Sequence, residues 1–337
     1  MASPTRGRWR RFRSSAVTVR GAGEGETART MLTIFTNTRI DFMSRRRAFF
    51  VVSAVVILIG IASFLLHGGF RLGIDFSGGR LIEYGVPAEI SVEDVRAAAG
   101  DVGFGQAEIQ RVRGVGDSRM LIRIPEIIEQ RGGEASPSAL IRDALIERHP
   151  GADIELLREE SVGAKVGKEI RGQAFWAIVI ALGLILLYIA FRFEFWFGVG
   201  AIVALAHDVL VTLTIFSLLD REITMPVVAA LLTIAGYSIN DSIVVFDRIR
   251  EQLVRLRRES FPNVLNISIN QTLSRTVITA ITTLFASLAL LIFGGEVIRD
   301  FALAMTVGVI VGTYSSIFVA SAMVLELRTG RETKATA

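Results

Sequence analysis

Four ionisable side chains lie inside stretches that are otherwise apolar. His207 and Asp208 stand in Ala204–Val209 (ALAHDV), Asp241 stands in Gly236–Ser242 (GYSINDS) with Asn240 beside it, and Arg275 stands in Asn270–Thr276 (NQTLSRT). At the centre of a membrane helix such a group costs roughly 2.5–3.5 kcal/mol on insertion scales, so each is first a functional hypothesis. The chemistry these types offer together is proton transfer. Burial penalises the ionised form of a carboxyl and a nearby guanidinium favours it, so moving one helix against another would load and release a proton. Asp241 lies five residues before Phe246, roughly 8 Å inside the end of its span. Arg275 opens the next span at the same face, which puts it at comparable depth. Each has a structural counterpart: an interhelical hydrogen bond for His207 and Asp208, a permanent partner for Asp241, and snorkelling to the surface for Arg275.

Other chemistries fit less well. The chain has no cysteine, which excludes disulfides, thiol catalysis and cysteine-held metals, and no metal site is read from it. Asp208 and Asp241 on neighbouring spans raise the reading of an intramembrane aspartyl protease, whose paired carboxyls share a proton. Such enzymes carry Gly-x-Gly-Asp at one aspartate and an aromatic residue before the other. Here Ser238, Ile239 and Asn240 precede Asp241, and His207 precedes Asp208. Gly73–Gly79 (GIDFSGG), with Asp75, Gly78 and Gly79, lacks the lysine and spacing of a phosphate loop and reads as a turn into a strand. No ATP site is legible.

Long apolar runs must position these groups. Apolar residues make up 51% of the 337, clustered into stretches long enough to cross ~30 Å of hydrocarbon as helices. Six spans are expected: Ala48–Leu66, Ala174–Phe191, Trp196–Leu219, Ile223–Phe246, Thr276–Phe293 and Phe301–Leu325. Gly308 and Gly312 form a small-xxx-small pair for close packing in the last. Arg45, Arg46 and Arg47 precede the first span, Arg248, Arg250, Arg255, Arg257 and Arg258 follow the fourth, and Arg328 and Arg331 follow the sixth. With six spans all three places fall on one side, which the positive-inside rule makes cytoplasmic. The net charge of +4 comes from these edges and calls for no nucleic acid. The run after Asp247 is first a topology signal and second a surface for anionic lipid, ribosome or translocon.

The domain plan follows. Residues 1–30 are rich in Arg, Gly, Ser and Thr and are expected to be a disordered extension; Met31 is a second candidate start of translation, which peptide mapping of the mature N-terminus would decide. Residues 31–47 are a cytoplasmic segment, 48–66 the first span, 67–173 a periplasmic domain, 174–327 the remaining five spans, and 328–337 a cytoplasmic tail. Within 67–173, strands are expected at Leu81–Val86, Ala107–Val112, Arg119–Ile124 and Asp153–Leu157. One helix is capped by Ser91 with Asp94 as its box partner, and another starts at Ser136–Pro137. The order β-α-β-β-α-β is that of a ferredoxin-like unit.

On GIDFSGG, ALAHDV, NQTLSRT and above all Gly236–Glu251 (GYSINDSIVVFDRIRE, which includes Asp247), the chain resembles the SecF branch of the SecD/SecF export family over about Met31–Leu327. The resemblance implies an RND-superfamily fold: an α-helical integral membrane protein with a six-span half bundle and a small α+β ferredoxin-like periplasmic domain. It implies an inner-membrane location and an accessory translocase subunit, not an enzyme, that acts late in export through SecYEG. The partners implied are SecD, SecYEG, YajC and YidC, the translocating preprotein and the bilayer. Protons are the coupling ion and there is no other cofactor. Family roles in proton conduction fall on Asp241 and Arg275, with Asn240 in support. Two other readings are a scaffold subunit that moves no protons and a small-molecule efflux pump, the latter disfavoured because such pumps carry both halves in one chain.

Overall fold

The computed structural model describes residues 38–113, 118–125 and 136–335. The expectations for residues 1–30, for the segment up to residue 37 and for the last two residues of the tail lie outside them.

A short 3₁₀ turn, Met43–Arg45, opens into α1 (Arg46–Leu66). A one-turn helix α2 (Ile74–Ser77) leads into β1 (Gly79–Val86), followed by α3 (Val92–Asp101), β2 (Glu108–Arg113), β3 (Ser118–Ile124), α4 (Pro137–Arg148) and β4 (Glu155–Val162). The sheet order is β2-β3-β1-β4 and every neighbouring pair is antiparallel. That is the ferredoxin-like split β-α-β arrangement. Its register sets Ile82 opposite Ile122 and Tyr84 opposite Met120. These side chains, with Val86 and Ile109, meet Val95, Ala98 and Ala99 of α3 and Ile141 and Leu145 of α4 in one core. The Tyr84 hydroxyl, buried there, donates to the Ser138 carbonyl; burial pushes this phenol above its ordinary range. Helix α3 begins at the expected capping box, the Asp94 N–H donating to Ser91 Oγ and the Ser91 N–H to Asp94 Oδ2.

The remaining helices are α5 (Ala164–Arg192), α6 (Phe195–Leu218), α7 (Met225–Arg255), α8 (Phe261–Phe293), α9 (Gly295–Ser315), a π-helical turn (Ser316–Ala320) and α10 (Ser321–Ala335). Among the described residues, six helical segments are long and apolar enough to cross a membrane, the last built from α9, the π turn and α10. The segments of α6, α7 and α9–α10 form the buried centre, while α1, α5 and α8 leave most of their surface uncovered. Such uncovered apolar faces as Val51, Leu58, Phe175, Leu184 and Phe285 suit hydrocarbon, not water. The fold class expected from the sequence is the one observed.

Helix ends differ from the apolar runs because a helix can run on into polar sequence, and proline in the first turn, not hydropathy, marks the starts of α7 and α8. Ser260 with Pro262 starts α8 well before Thr276, so Arg275 lies inside a continuous helix, not at its opening. Helix α7 continues past Phe246 to Arg255, which puts Arg248, Arg250 and Arg255 on the helix. Helix α5 starts at Ala164, so the last part of segment 67–173 is helical.

Candidate functional site

Two carboxylates are buried side by side in the bundle, each in its own set of hydroxyls. Asp241, on α7, is 8% exposed. Its Oδ1 accepts from Thr276 Oγ1 of α8 at 2.8 Å, and its Oδ2 accepts from Ser316 Oγ, the first residue of the π turn. Asp208, on α6, is fully buried. Its Oδ2 accepts from Ser315 Oγ at 2.8 Å and from Ser238 Oγ of α7, and its Oδ1 meets His207 Nδ1 at 3.0 Å. The His207 ring bonds through Nε2 to Ser53 Oγ of α1 at 3.0 Å. Ser53 in turn meets the Tyr314 hydroxyl at 3.1 Å, which donates to the Phe49 carbonyl at 3.0 Å.

The two sets touch through neighbours. Ser315 and Ser316 are consecutive at the entry to the π turn, one reaching each carboxylate, and Ser238 lies one turn before Asp241 on α7. A π turn shifts the helical register within a helix and is frequent at functional sites. Close approach of α9 makes this possible. A Cβ on Gly312 would stand 3.2 Å from Ser238 Cβ and 3.6 Å from Asp208 Oδ2, and one on Gly308 would stand 2.3 Å from Ile234 Cδ1. Ser242 Oγ, next to Asp241 in sequence, is buried with no hydrogen-bond partner among the described residues.

Arg275 stands at the surface of α8, the placement that snorkelling would give it. It is exposed, on the outer face of α8, and among the described residues it makes no ion pair with Asp241. The following residue, Thr276, makes the contact instead. Asn240 is also exposed, on the outer face of α7, and a Cβ on Gly236 would meet nothing within 4 Å. These belong to an exposed stripe of small and polar residues on the outside of the bundle: Ala229, Thr233, Gly236 and Asn240 along α7, and Gln271, Arg275, Thr279 and Thr282 along α8. Both runs follow the three- and four-residue spacing of one helix face.

Asp247 pairs with Arg192 at the end of α5, the guanidinium lying 2.6 and 2.7 Å from its two oxygens. Gly73–Gly79 leads into β1 as the expected turn does, with one helical turn at its centre: Gly73 precedes α2, and Gly78 and Gly79 leave it at φ 73° and 113°, values that favour glycine. Asp75 accepts the backbone N–H of Met225 at 2.8 Å. The hydroxyl partners Thr276, Ser316, Ser315, Ser238, Ser53 and Tyr314 were not assigned from sequence. Two consecutive serines in an apolar span, Ser315 and Ser316, were the available signal. No hydrogen bond joins the two carboxylates among the described residues, and each is occupied by hydroxyls, which is not the shared-proton dyad of an aspartyl protease.

Six apolar segments with a buried carboxylate core and one ferredoxin-like domain define a polytopic membrane protein with an RND-type half bundle. Residues 143–330 match the model of the C-terminal region of the protein export membrane proteins SecD/SecF, and residues 63–86 match the SecD/SecF GG motif. The protein translocase subunit SecF of Thermodesulfovibrio yellowstonii is 42% identical over 88% of this chain and 97% of its own length. The protein translocase subunit SecDF of Thermus thermophilus is 42% identical over 87% of this chain, which spans 39% of that longer protein. The crystal structure of SecDF, a translocon-associated membrane protein from the same organism, superposes with a TM-score of 0.76 at 41% identity, covering 87% of this chain and 39% of that one. The chain belongs to the SecD/SecF family of protein export membrane proteins, and its full-length relatives are SecF subunits.

Proposed function

We propose that the chain is the SecF-type half of a SecD–SecF pair in the bacterial inner membrane, and that proton movement at Asp241 drives late steps of export through SecYEG. Both termini face the cytoplasm in this reading and the ferredoxin-like domain faces outward, following the arginines at the span edges. The observation that carries it is Asp241 itself: a carboxyl in the apolar interior whose hydrogen bonds, among the described residues, come from hydroxyls of α8 and the π turn. A hydroxyl both donates and accepts, so it can serve either protonation state by rotation, whereas a fixed guanidinium would hold the charged form alone. Arg275 stands one residue from Thr276 and faces outward. Its approach to Asp241, on rearrangement of α8, would favour proton release, and its withdrawal would favour uptake. Asp208 and His207 form the neighbouring polar set, joined to the first through Ser315 and Ser316. The electrical part of the gradient supplies roughly 2.3 kcal/mol per charge per 100 mV, enough to bias a two-state packing more than tenfold. The chain acts as a proton-coupled subunit and not as an enzyme, with the proton as its only cofactor.

The polar stripe supports SecD as the partner. Asn240, Gln271 and Arg275 suit a second polar helix face better than lipid, and one relative carries both names in a single chain. YajC and YidC are further partners of the assembly, and the translocating preprotein its cargo.

The test is Asp241→Asn in a strain depleted of its own SecF. Export of a secreted reporter is expected to fall to the depleted level while membrane abundance and SecD co-purification stay normal. Normal export would leave a scaffold role in place of a proton cycle.

A further inference from the structure

The glycine motif after the first span takes no part in the proton chemistry, yet its position is closely defined. The Gly73 N–H donates to the Ile223 carbonyl at 2.9 Å, the Ile223 N–H donates to the Arg71 carbonyl at 2.7 Å, and Leu72 and Ile223 form a parallel bridge. Two residues on, Asp75 Oδ2 accepts the Met225 N–H at 2.8 Å. Met225 is the first residue of α7, and the local N-cap residue, Thr224, makes no side-chain cap. The first amides of a helix lack intrahelical partners, and the positive end of the helix dipole favours a carboxylate there. The carboxylate that closes α7 therefore comes from 150 residues away in sequence.

On its other side the motif runs directly into β1, the strand flanked by β3 and β4 in the outer sheet, where Gly79 pairs with Val162. The joint has little slack. A Cβ on Gly73 would stand 2.7 Å from Thr224 Cγ2, and one on Gly167 of α5 would stand 3.2 Å from the Gly78 nitrogen. Arg71 bridges Asp220 and Glu108 at 2.6 Å each, and Arg123 of β3 pairs with Glu222, fastening the sheet to the loop before α7. From this cap α7 is one unbroken helix through Asp241 to Arg255. The sixteen steps from Met225 to Asp241 rise about 24 Å at 1.5 Å each.

We infer that Asp75 is a positioning residue that couples α7 to the outer domain, so that displacement of α7 at Asp241 is passed through the Asp75–Met225 contact to β1. This rests on the proton-cycle reading of Asp241, and the test keeps the two apart. The full chain is expressed with its SecD partner, and right-side-out membrane vesicles are assayed for proton uptake and, in the same strains, for reporter export. Asp75→Ala is expected to keep wild-type proton uptake while export falls roughly fivefold, the effect of one lost helix cap on a docking equilibrium. Asp75→Asn keeps an acceptor oxygen of equal capping strength and is expected to restore export to within about twofold of wild type. Normal export in Asp75→Ala, loss of proton uptake together with export, or an Asn variant as impaired as the Ala variant would each overturn the coupling role. Asp241→Asn, run alongside, loses both readouts if the proton cycle is right. If it retains both, the proton cycle fails and the coupling role falls with it, whereas failure on the Asp75 variants alone leaves the proton cycle standing.

Discussion

Asp241 and Asp208 differ in what surrounds them, and the difference sets what each can do. Asp208 is fully buried, touched by two serine hydroxyls and the His207 ring, a set that fixes the junction of α6, α7 and α9. Asp241 has one hydroxyl on each oxygen and a small remaining exposure, so fewer contacts oppose its change of state. At this scale the ferredoxin-like domain offers a separate prediction. Glu159 on β4 pairs with Arg80 and accepts from Ser138 Oγ at 2.9 Å and Ser136 Oγ at 3.2 Å. Burial opposes its ionisation, but the Arg80 pair and the two hydroxyls outweigh that and hold the carboxyl below its usual range. A depressed folded value means the group stabilises fully above the unfolded carboxyl's pKa, about 4.3, and loses that contribution as pH falls through the folded value. Arg80→Gln should therefore lower the Tm of the purified chain at neutral pH, with the gap to wild type closing as the buffer is taken toward about pH 3. A gap independent of pH would show that Arg80 acts through packing alone.

Among the elements, the last span is the most informative. Its glycines let α9 approach α7, and its π turn places consecutive serines on the two carboxylates. Gly308→Ala puts a methyl against the fully buried Ile234, and overpacking of this kind costs roughly 1–3 kcal/mol. Melting in detergent should show a lower Tm for Gly308→Ala and no loss for Gly236→Ala, where the added methyl meets nothing within 4 Å; equal Tm values for the two would refute the packing role. The ferredoxin-like domain was legible in sequence almost strand by strand, because the alternation of Ile82, Tyr84 and Val86 and the Ser91–Asp94 box are local signals; β4 runs on to Val162, past the expected Leu157. The membrane helix ends were less so. Hydropathy marks where a chain can meet lipid, while the ends of α7 and α8 are set by Pro226, Pro262 and polar turns that carry no apolar signal.

For the whole molecule, the buried polar centre and the exposed polar stripe are complementary features. A half bundle with Asn240 and Arg275 on its outer surface is incomplete in lipid, and a second half bundle would cover that face. Because the chain has no cysteine, Asn240→Cys offers a single crosslinking site. It should form an adduct with a co-expressed SecD, while Phe175→Cys, on the exposed apolar face of α5, should not. Equal labelling from the two positions would remove the stripe as the partner face.

The sequence by itself determined the number of spans, the place and element order of the ferredoxin-like domain, the family, and the identity of Asp241 as the residue to test. These rest on composition, periodicity and short motifs, which are properties of neighbouring residues. Only the tertiary structure decided that Thr276 and Ser316 hold Asp241, that Arg275 turns outward, and that Asp75 closes the helix beginning at Met225. Each is a contact between residues far apart in the chain or a choice of helix face. Helix rotation and packing settle such choices through the summed burial of many side chains, and no local pattern encodes that sum.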